Sequence, residues 1–243
     1  MLGNKKICIF GKSSFVANGL SEYWGGSYIK LLSVAENWEE VRSAIKWADI
    51  IINCAGVTRS DDEADFFKVN FHYNSSIINI INEMKYKKYV TFSSIHYTNS
   101  DIYGYSQRYK EYLANCLDKS NSSIIVRLPG VYGANAKPNS VSVVSTFFHN
   151  HLLKLESEII GSDKVLKLIH IRKLAEELAL FLAQEQVFNG HIFCPTHSEV
   201  TVGNLHAAIT AVCNETSFIN PALDLNLKLG LAETYNGIKE LEL

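Results

Sequence analysis

The stretch KKICIFGKSSFVANGLSEYW, Lys5 to Trp24, carries the reading that decides the fold. KKICIF is a short apolar, β-branched run that stops at Gly11, and FVANGLSEYW recurs at helical spacing after it. This predicts a strand, a tight turn and a helix. The same alternation continues outward. YIKLLSV reads as a strand, WEEVRSAIKWA as an amphipathic helix, and ADIIINCAG as a buried strand ending at Gly56. FFKVNFHYNSSIINIINEM is a long helix, KKYVTFSS a strand, and a helix follows Tyr103 to about Lys119. The strand SSIIVRL, the helix VSVVSTFFHNHLLKL, and the pair KVLKLIHI and RKLAEELALFLAQ complete the series. Alternation this regular implies an α/β protein with a doubly wound parallel sheet covered by helices on both faces.

The 243 residues suffice for one sizeable core, so a single domain over 1–243 is expected, with 1–128 as its main nucleotide-binding part. A 47% hydrophobic content, 20% charged residues and a formal charge of -2 supply no global field that would attract nucleic acid or a membrane. Five scattered cysteines without a CxxC pair argue against a disulfide framework or a zinc site. No apolar run approaches the ~20 residues that span a bilayer, and the start resembles no signal peptide. A cytoplasmic protein is expected. His149 and His151 do not face each other on a helix, so no metal is expected.

In an open parallel sheet, ligands bind outside the carboxyl ends of the strands. The loops Gly11–Phe15, Cys54–Arg59, Ser93–Tyr103 and Pro129–Asn139 should therefore converge on one crevice. GKSS is not a P-loop, because Lys6 stands where that motif needs a glycine. It fits the strand–turn–helix context of a Rossmann fingerprint, with Gly11 at the first glycine and Ser14 and Ala17 at the other two positions. Gly11, Lys12, Ser13, Ser14, Phe15 and Val16 would then offer N–H groups and a helix N-terminus to a pyrophosphate.

The segments GKSSFVA, NCAGVTR, SSIHYTNSDIYGYSQ and RLPGVYGANAKPNSV, in this order, resemble the extended short-chain dehydrogenase/reductase (NAD-dependent epimerase/dehydratase) family. AGVTR, YGYSQ and KPNSVSVVSTFFHN are most similar to reductases of nucleotide-linked 4-keto-6-deoxy sugars that serve capsule and O-antigen synthesis. The resemblance extends to the closing DLNLKLGLAETYNGIKEL. It implies a Rossmann-like fold with a small C-terminal substrate-binding portion. It also implies Cys54, Ala55, Gly56, Pro129 and Val131 as further cofactor contacts, and a paired subunit as partner.

The family's catalytic set is Ser or Thr followed by Tyr-x-x-x-Lys. Ser94 and Tyr103 occupy the first two positions, and Gln107 stands where the lysine belongs. Lys110 shares the helix face but lies about 10.5 Å beyond Tyr103, a poor substitute. Reduction of a ketone needs a protonated tyrosine, and an unshifted one already is, with a pKa of about 10. Loss of the cation harms oxidation more than reduction. The reading is therefore a reductase with Tyr103 as acid, Ser94 as orienter and Gln107 as ribose ligand. An epimerase or dehydratase on the same scaffold is one alternative. A non-catalytic nucleotide-binding scaffold is the other.

The strand YIKLLSV ends without the acidic residue that usually accepts the NAD ribose, and Lys12 and Lys30 suit a 2′-phosphate. NADPH is expected over NADH. Substrate contacts are expected from Ser94, Arg59, Lys137, Asn139 and the helix beginning at Val141, which would meet a nucleotide-linked deoxy sugar.

Overall fold

The computed structural model describes residues 2–34, 37–140, 142–215 and 223–241. In chain order its elements begin β1 (Ile7–Phe10), α1 (Phe15–Trp24), β2 (Ile29–Leu32), α2 (Trp38–Trp47) and β3 (Ile50–Asn53). A helical segment follows as α3 (Glu63–Asp65), a π-helix (Phe66–Tyr73) and α4 (Asn74–Asn82), then β4 (Lys88–Ser94), α5 (Ile102–Asn115) and β5 (Ser122–Leu128). The remainder is β6 (Gly130–Tyr132), α6 (Val143–Leu152), β7 (Val165–His170), α7 (Ile171–Leu182), β8 (His191–Phe193), β9 (Ser198–Thr201), α8 (Val202–Cys213) and α9 (Leu225–Leu241). The chain divides into two compact units, Met1–Leu128 with Ala175–Pro195, and Pro129–Leu174 with Thr196–Leu243.

The first unit is a six-stranded sheet in the order β2-β1-β3-β4-β5-β8, with every pair parallel. This is the Rossmann-like α/β fold. Successive residues of a strand point to opposite faces, so four-residue strands buried on both sides must be apolar throughout, as ICIF is. Cys8, Phe10, Ile51 and Tyr89 pack with Val41 and Ile45 of α2 and with Ile77, Ile78 and Ile81 of α4. Ile7, Ile9, Ile52, Val90 and Val126 pack on the other face with Ala17 and Leu20 of α1 and with Ala175 and Leu178. The chain crosses from β1 to β2 on one side and continues to β3 on the other. The carboxyl ends of β1 and β3 therefore mark the topological switch point.

The helix expected over 66–84 is two helical pieces, the π-helix and α4, ending at Asn82 and preceded by the short α3. Its π segment holds Asn70 inward, fully buried. Wide turns of this kind often accompany functional sites.

The second unit carries a three-stranded sheet, β6-β7-β9, with β6 and β7 parallel and β9 antiparallel to β7. Its core joins Tyr132, Phe148, Leu205, Leu227, Leu231 and Tyr235. Gly230 lets α9 approach β6, since a Cβ there would meet the Tyr132 hydroxyl at 2.3 Å. Phe147 and Phe148 of α6 are buried in this core and offer no apolar surface to a partner. Among the described residues there is no cluster of metal ligands, and no helix is long and apolar enough to cross a membrane.

Candidate active site

At the switch point, Gly11 has φ +90, a conformation that favours glycine, and an added Cβ would lie 2.8 Å from Ala55 N and 2.9 Å from Cys54 C. This glycine lets the turn after β1 close onto the loop after β3. Gly11 N and Lys12 N both donate to Leu32 O at 2.9 Å, which ties the same turn to the end of β2. Asn18 Nδ2 donates to Lys12 O at 2.7 Å and to Ser14 O at 2.9 Å, bracing the turn from within α1. Asn37 and Asp101 cap α2 and α5 with their side chains, whereas Ser14 does not cap α1. The N–H groups of the first turn of α1 are thus left for a ligand, and the positive end of the helix dipole lies at the switch point. These features fit a dinucleotide pyrophosphate.

A groove of about 570 Å³ lies at the end of β2, lined by Lys30, Leu31, Leu32, Asn37, Glu39 and Ser43 among others. Lys30 stacks its ammonium on the Trp47 ring, 4.3 Å from the centroid. Lys12 is the expected lysine whose backbone adjoins Leu32.

The loop Cys54–Val57 is fastened by two asparagines. Asn53 Oδ1 accepts from Ala55 N at 3.0 Å, and Asn53 Nδ2 donates to Asn74 Oδ1 at 2.8 Å. Asn70 Oδ1 accepts from Val57 N at 2.7 Å, while its Nδ2 donates to Val57 O and to Ser106 Oγ, both at 2.9 Å. Burial pushes the Cys54 thiol far above its ordinary pKa, so it remains protonated. Arg59, beyond this loop, is exposed.

At the end of β4, the Ser94 hydroxyl lies near enough to the Tyr103 phenol of α5 to influence its ionisation. Asp101 caps α5 by accepting from Gly104 N at 2.7 Å, and so sets Tyr103 in the first helical turn. Gly104 allows the preceding loop to close on that turn, because a Cβ there would lie 2.2 Å from Asn99 O. Burial raises the Tyr103 pKa, the nearby Ser94 hydroxyl partly offsets this, and the Asp101 charge raises it again. The phenol is protonated at neutral pH.

Gln107 is 2% exposed and donates from Nε2 to Ser106 Oγ at 3.2 Å, so its amide is engaged within its own helix. Ser106 Oγ in turn donates to Tyr103 O at 2.7 Å. Glu111 receives Arg127 through Nε and Nη2 at 2.9 and 2.8 Å, and Ser93 Oγ at 2.7 Å. The Arg127 guanidinium stacks on Tyr97, 3.7 Å from the ring centroid. The strand-end loop is thereby held against α5.

Pro129, Val131, Lys137 and Asn139 belong to the second unit. Val131 pairs with Ile169 in β6–β7, and Lys137 is exposed. Asn139 takes φ +57 and donates from its backbone N to Thr146 Oγ1 at 2.8 Å. Val141 lies outside the described residues, and α6 begins at Val143.

Sequence reasoning missed Asn53, Asn70, Glu111 and Arg127. The available signal was polar residues inside apolar runs, Asn53 at the end of IIIN and Asn70 with Asn74 one turn apart in KVNFHYN.

A parallel sheet with an uncapped first helix at its switch point, Ser94 ending a nearby strand and Tyr103 in the first turn of the helix that follows, defines a dinucleotide-binding α/β class. Residues 33–193 match the NAD dependent epimerase/dehydratase family, and the chain belongs to it. It is 26% identical over 172 residues to UDP-2-acetamido-2,6-beta-L-arabino-hexul-4-ose reductase of Pseudomonas aeruginosa, an alignment covering 68% of this chain and 46% of that protein. The chain thus matches about half the length of this relative. The crystal structure of the capsular polysaccharide assembling protein CapF from Staphylococcus aureus superposes with a TM-score of 0.76 at 25% identity, over 96% of this chain and 65% of that one. UDP-glucuronic acid 4-epimerase from Bacillus cereus in complex with NAD shares the fold, with a TM-score of 0.79 at 13% identity over 98% of this chain and 99% of that one.

Proposed function

We propose that this chain is an NADPH-dependent reductase of a nucleotide-linked 4-keto-6-deoxy sugar, working in the cytoplasm in the assembly of a bacterial surface polysaccharide. The observation that carries the reading is the Tyr103 phenol in the first turn of α5, near Ser94 at the end of β4 and held protonated by burial. A protonated phenol is an acid, which suits reduction of a carbonyl and not the oxidation that begins an epimerase cycle. The similar reductase is named for a UDP-linked hexul-4-ose, a 4-keto sugar, and CapF for capsule assembly.

The turn Gly11–Val16 and the first turn of α1 would hold the pyrophosphate, and Cys54, Ala55 and Gly56 would border the dinucleotide. Pro129 and Val131 remain proposed contacts. Lys12 sits beside the end of β2 and supports a 2′-phosphate, hence NADPH over NADH. When bound, the dihydronicotinamide supplies hydride. Tyr103 donates its phenolic proton to the carbonyl oxygen, which becomes the product hydroxyl. Ser94 donates a hydrogen bond that orients the same oxygen and stabilises its developing charge. Arg59 is proposed to contact the sugar or its phosphates, Lys137 and Asn139 are proposed to receive the nucleotide diphosphate, and a homodimer is the proposed assembly.

Incubating the purified chain with NADPH and a panel of UDP- and dTDP-linked 4-keto-6-deoxy sugars tests this. Loss of dihydronicotinamide absorbance with formation of a 4-hydroxy sugar is expected. NADPH binding without turnover of any such sugar overturns it. That outcome would favour a nucleotide-binding scaffold, for which the engagement of Gln107 with Ser106 is the one supporting observation.

A further inference from the structure

One buried ammonium in the first unit has no part in the site as derived so far. Lys110 is 7% exposed and lies on α5 three residues beyond Gln107 and seven beyond Tyr103, so the three share a helix face. It makes no hydrogen bond or ion pair with a described residue. Glu111, its neighbour in sequence, is taken up by Arg127 and Ser93. Asn70 Oδ1 is already engaged by Val57 N. A buried ammonium without an anion is costly, and apolar side chains of similar volume commonly replace such groups with a gain in stability. Folding alone gives no reason for a lysine here.

Its surroundings do. A Cβ built on Gly56 would lie 3.5 Å from Lys110 Nζ and 3.5 Å from Asn70 Oδ1, in ordinary contact with both. Gly56 itself is exposed, in the loop that follows β3 at the switch point. With no side chain at position 56, only the loop backbone separates the ammonium from whatever rests on that loop. Gln107, one turn nearer Tyr103, has its amide turned to Ser106.

We propose that Lys110 is the binding cation of this crevice, donating to oxygen acceptors of a dinucleotide laid over Gly56 in place of the uncharged Gln107. This rests on the dinucleotide reading of the site. An ammonium carries three donors and no acceptor, so the groups it would meet are hydroxyl or phosphate oxygens. The groups that face it are Cys54 from the β3 loop, Glu111 from its own helix and the neutral Asn70 from the π-helix. Burial lowers its pKa to about 8, against the opposing influence of Cys54 and Glu111. The charge is therefore mostly present at neutral pH and lost just above it.

The experiment is NADPH titration of the full chain, followed by protein fluorescence, for wild type, Lys110→Met and the double variant Gln107→Lys/Lys110→Met. Thermal midpoints are measured on the same samples without ligand. Loss of a hydrogen bond from a charged donor should weaken binding by about 10–100-fold in Lys110→Met. Its midpoint should stay level or rise, and the double variant should recover affinity. Wild-type affinity should fall as pH rises through about 8, and the Met variant should show no such step. Unchanged affinity in Lys110→Met, together with a lowered midpoint, overturns the role and leaves Lys110 structural. If Lys110→Met does not fold, a flat wild-type profile across that pH step overturns it instead. A wild type that binds no NADPH at any pH sinks the reading of the site itself, whereas an unaffected Met variant beside a binding wild type sinks only Lys110.

Discussion

Tyr103 lies in the first turn of α5, its phenol near Ser94 and its backbone carbonyl accepting from Ser106 Oγ. Because burial raises its pKa, turnover at saturating NADPH by a reductase that uses it as an acid should be level through neutral pH and decline only above the ordinary phenol range, once the phenol ionises. A rate–pH profile that instead rises with pH between neutrality and that limit would assign the phenol to the basic form. Replacing Tyr103 by Phe removes the proton donor and should lower kcat by about 10²–10⁴-fold with little change in NADPH affinity. Lys110 makes a residue-scale prediction of opposite sign. Its folded pKa is depressed from 10.5 to about 8, so the unfolded chain holds more protons across that window and stability rises with pH there. The gain should be carried by this side chain and absent from Lys110→Met, as urea midpoints at pH 7 and pH 9 would show.

At the scale of elements, the site depends on short loops fastened by buried amides. Asn70 spans the π-helix, the β3 loop and α5 through three hydrogen bonds. Asn70→Ala strands the Val57 amide and carbonyl and should cost about 2–3 kcal/mol, measured as a shift in urea midpoint without a change in slope. Gly11→Ala should be harsher for function than for stability. The new methyl both strains φ +90 and presses on Ala55 N, so the turn must lift from the β3 loop. A stability loss of about 1–3 kcal/mol is expected, with NADPH binding lost alongside it. Retained binding would show that the turn does not form the pyrophosphate site.

For the molecule as a whole, a dinucleotide that binds the folded first unit and not the unfolded chain must stabilise it by mass action. At about 100 times its Kd, NADPH should add roughly 2.7 kcal/mol, visible as a raised thermal midpoint. NADH at equal concentration should raise it less if Lys12 meets a 2′-phosphate. Equal shifts would remove the basis for preferring NADPH.

Local periodicity alone determined the strand–turn–helix units, because four buried apolar residues such as ICIF or IIIN, followed by a 3.6-residue pattern, have few other ways to hide their side chains. Ser94 and Tyr103 were likewise legible, since a strand end and a helix start place them in the chain without knowledge of distant partners. GVY, HIF and SEVT are too short to carry a period, and only pairing with other strands made them β6, β8 and β9. Only tertiary structure decided that Asn70 and Lys110 turn inward, that Glu111 is consumed by Arg127, and that Lys30 lies on Trp47. The physical reason is that burial of a polar group is set by what long-range packing brings beside it. A one-dimensional pattern records the spacing of side chains but not the partners that satisfy them or leave them charged and waiting.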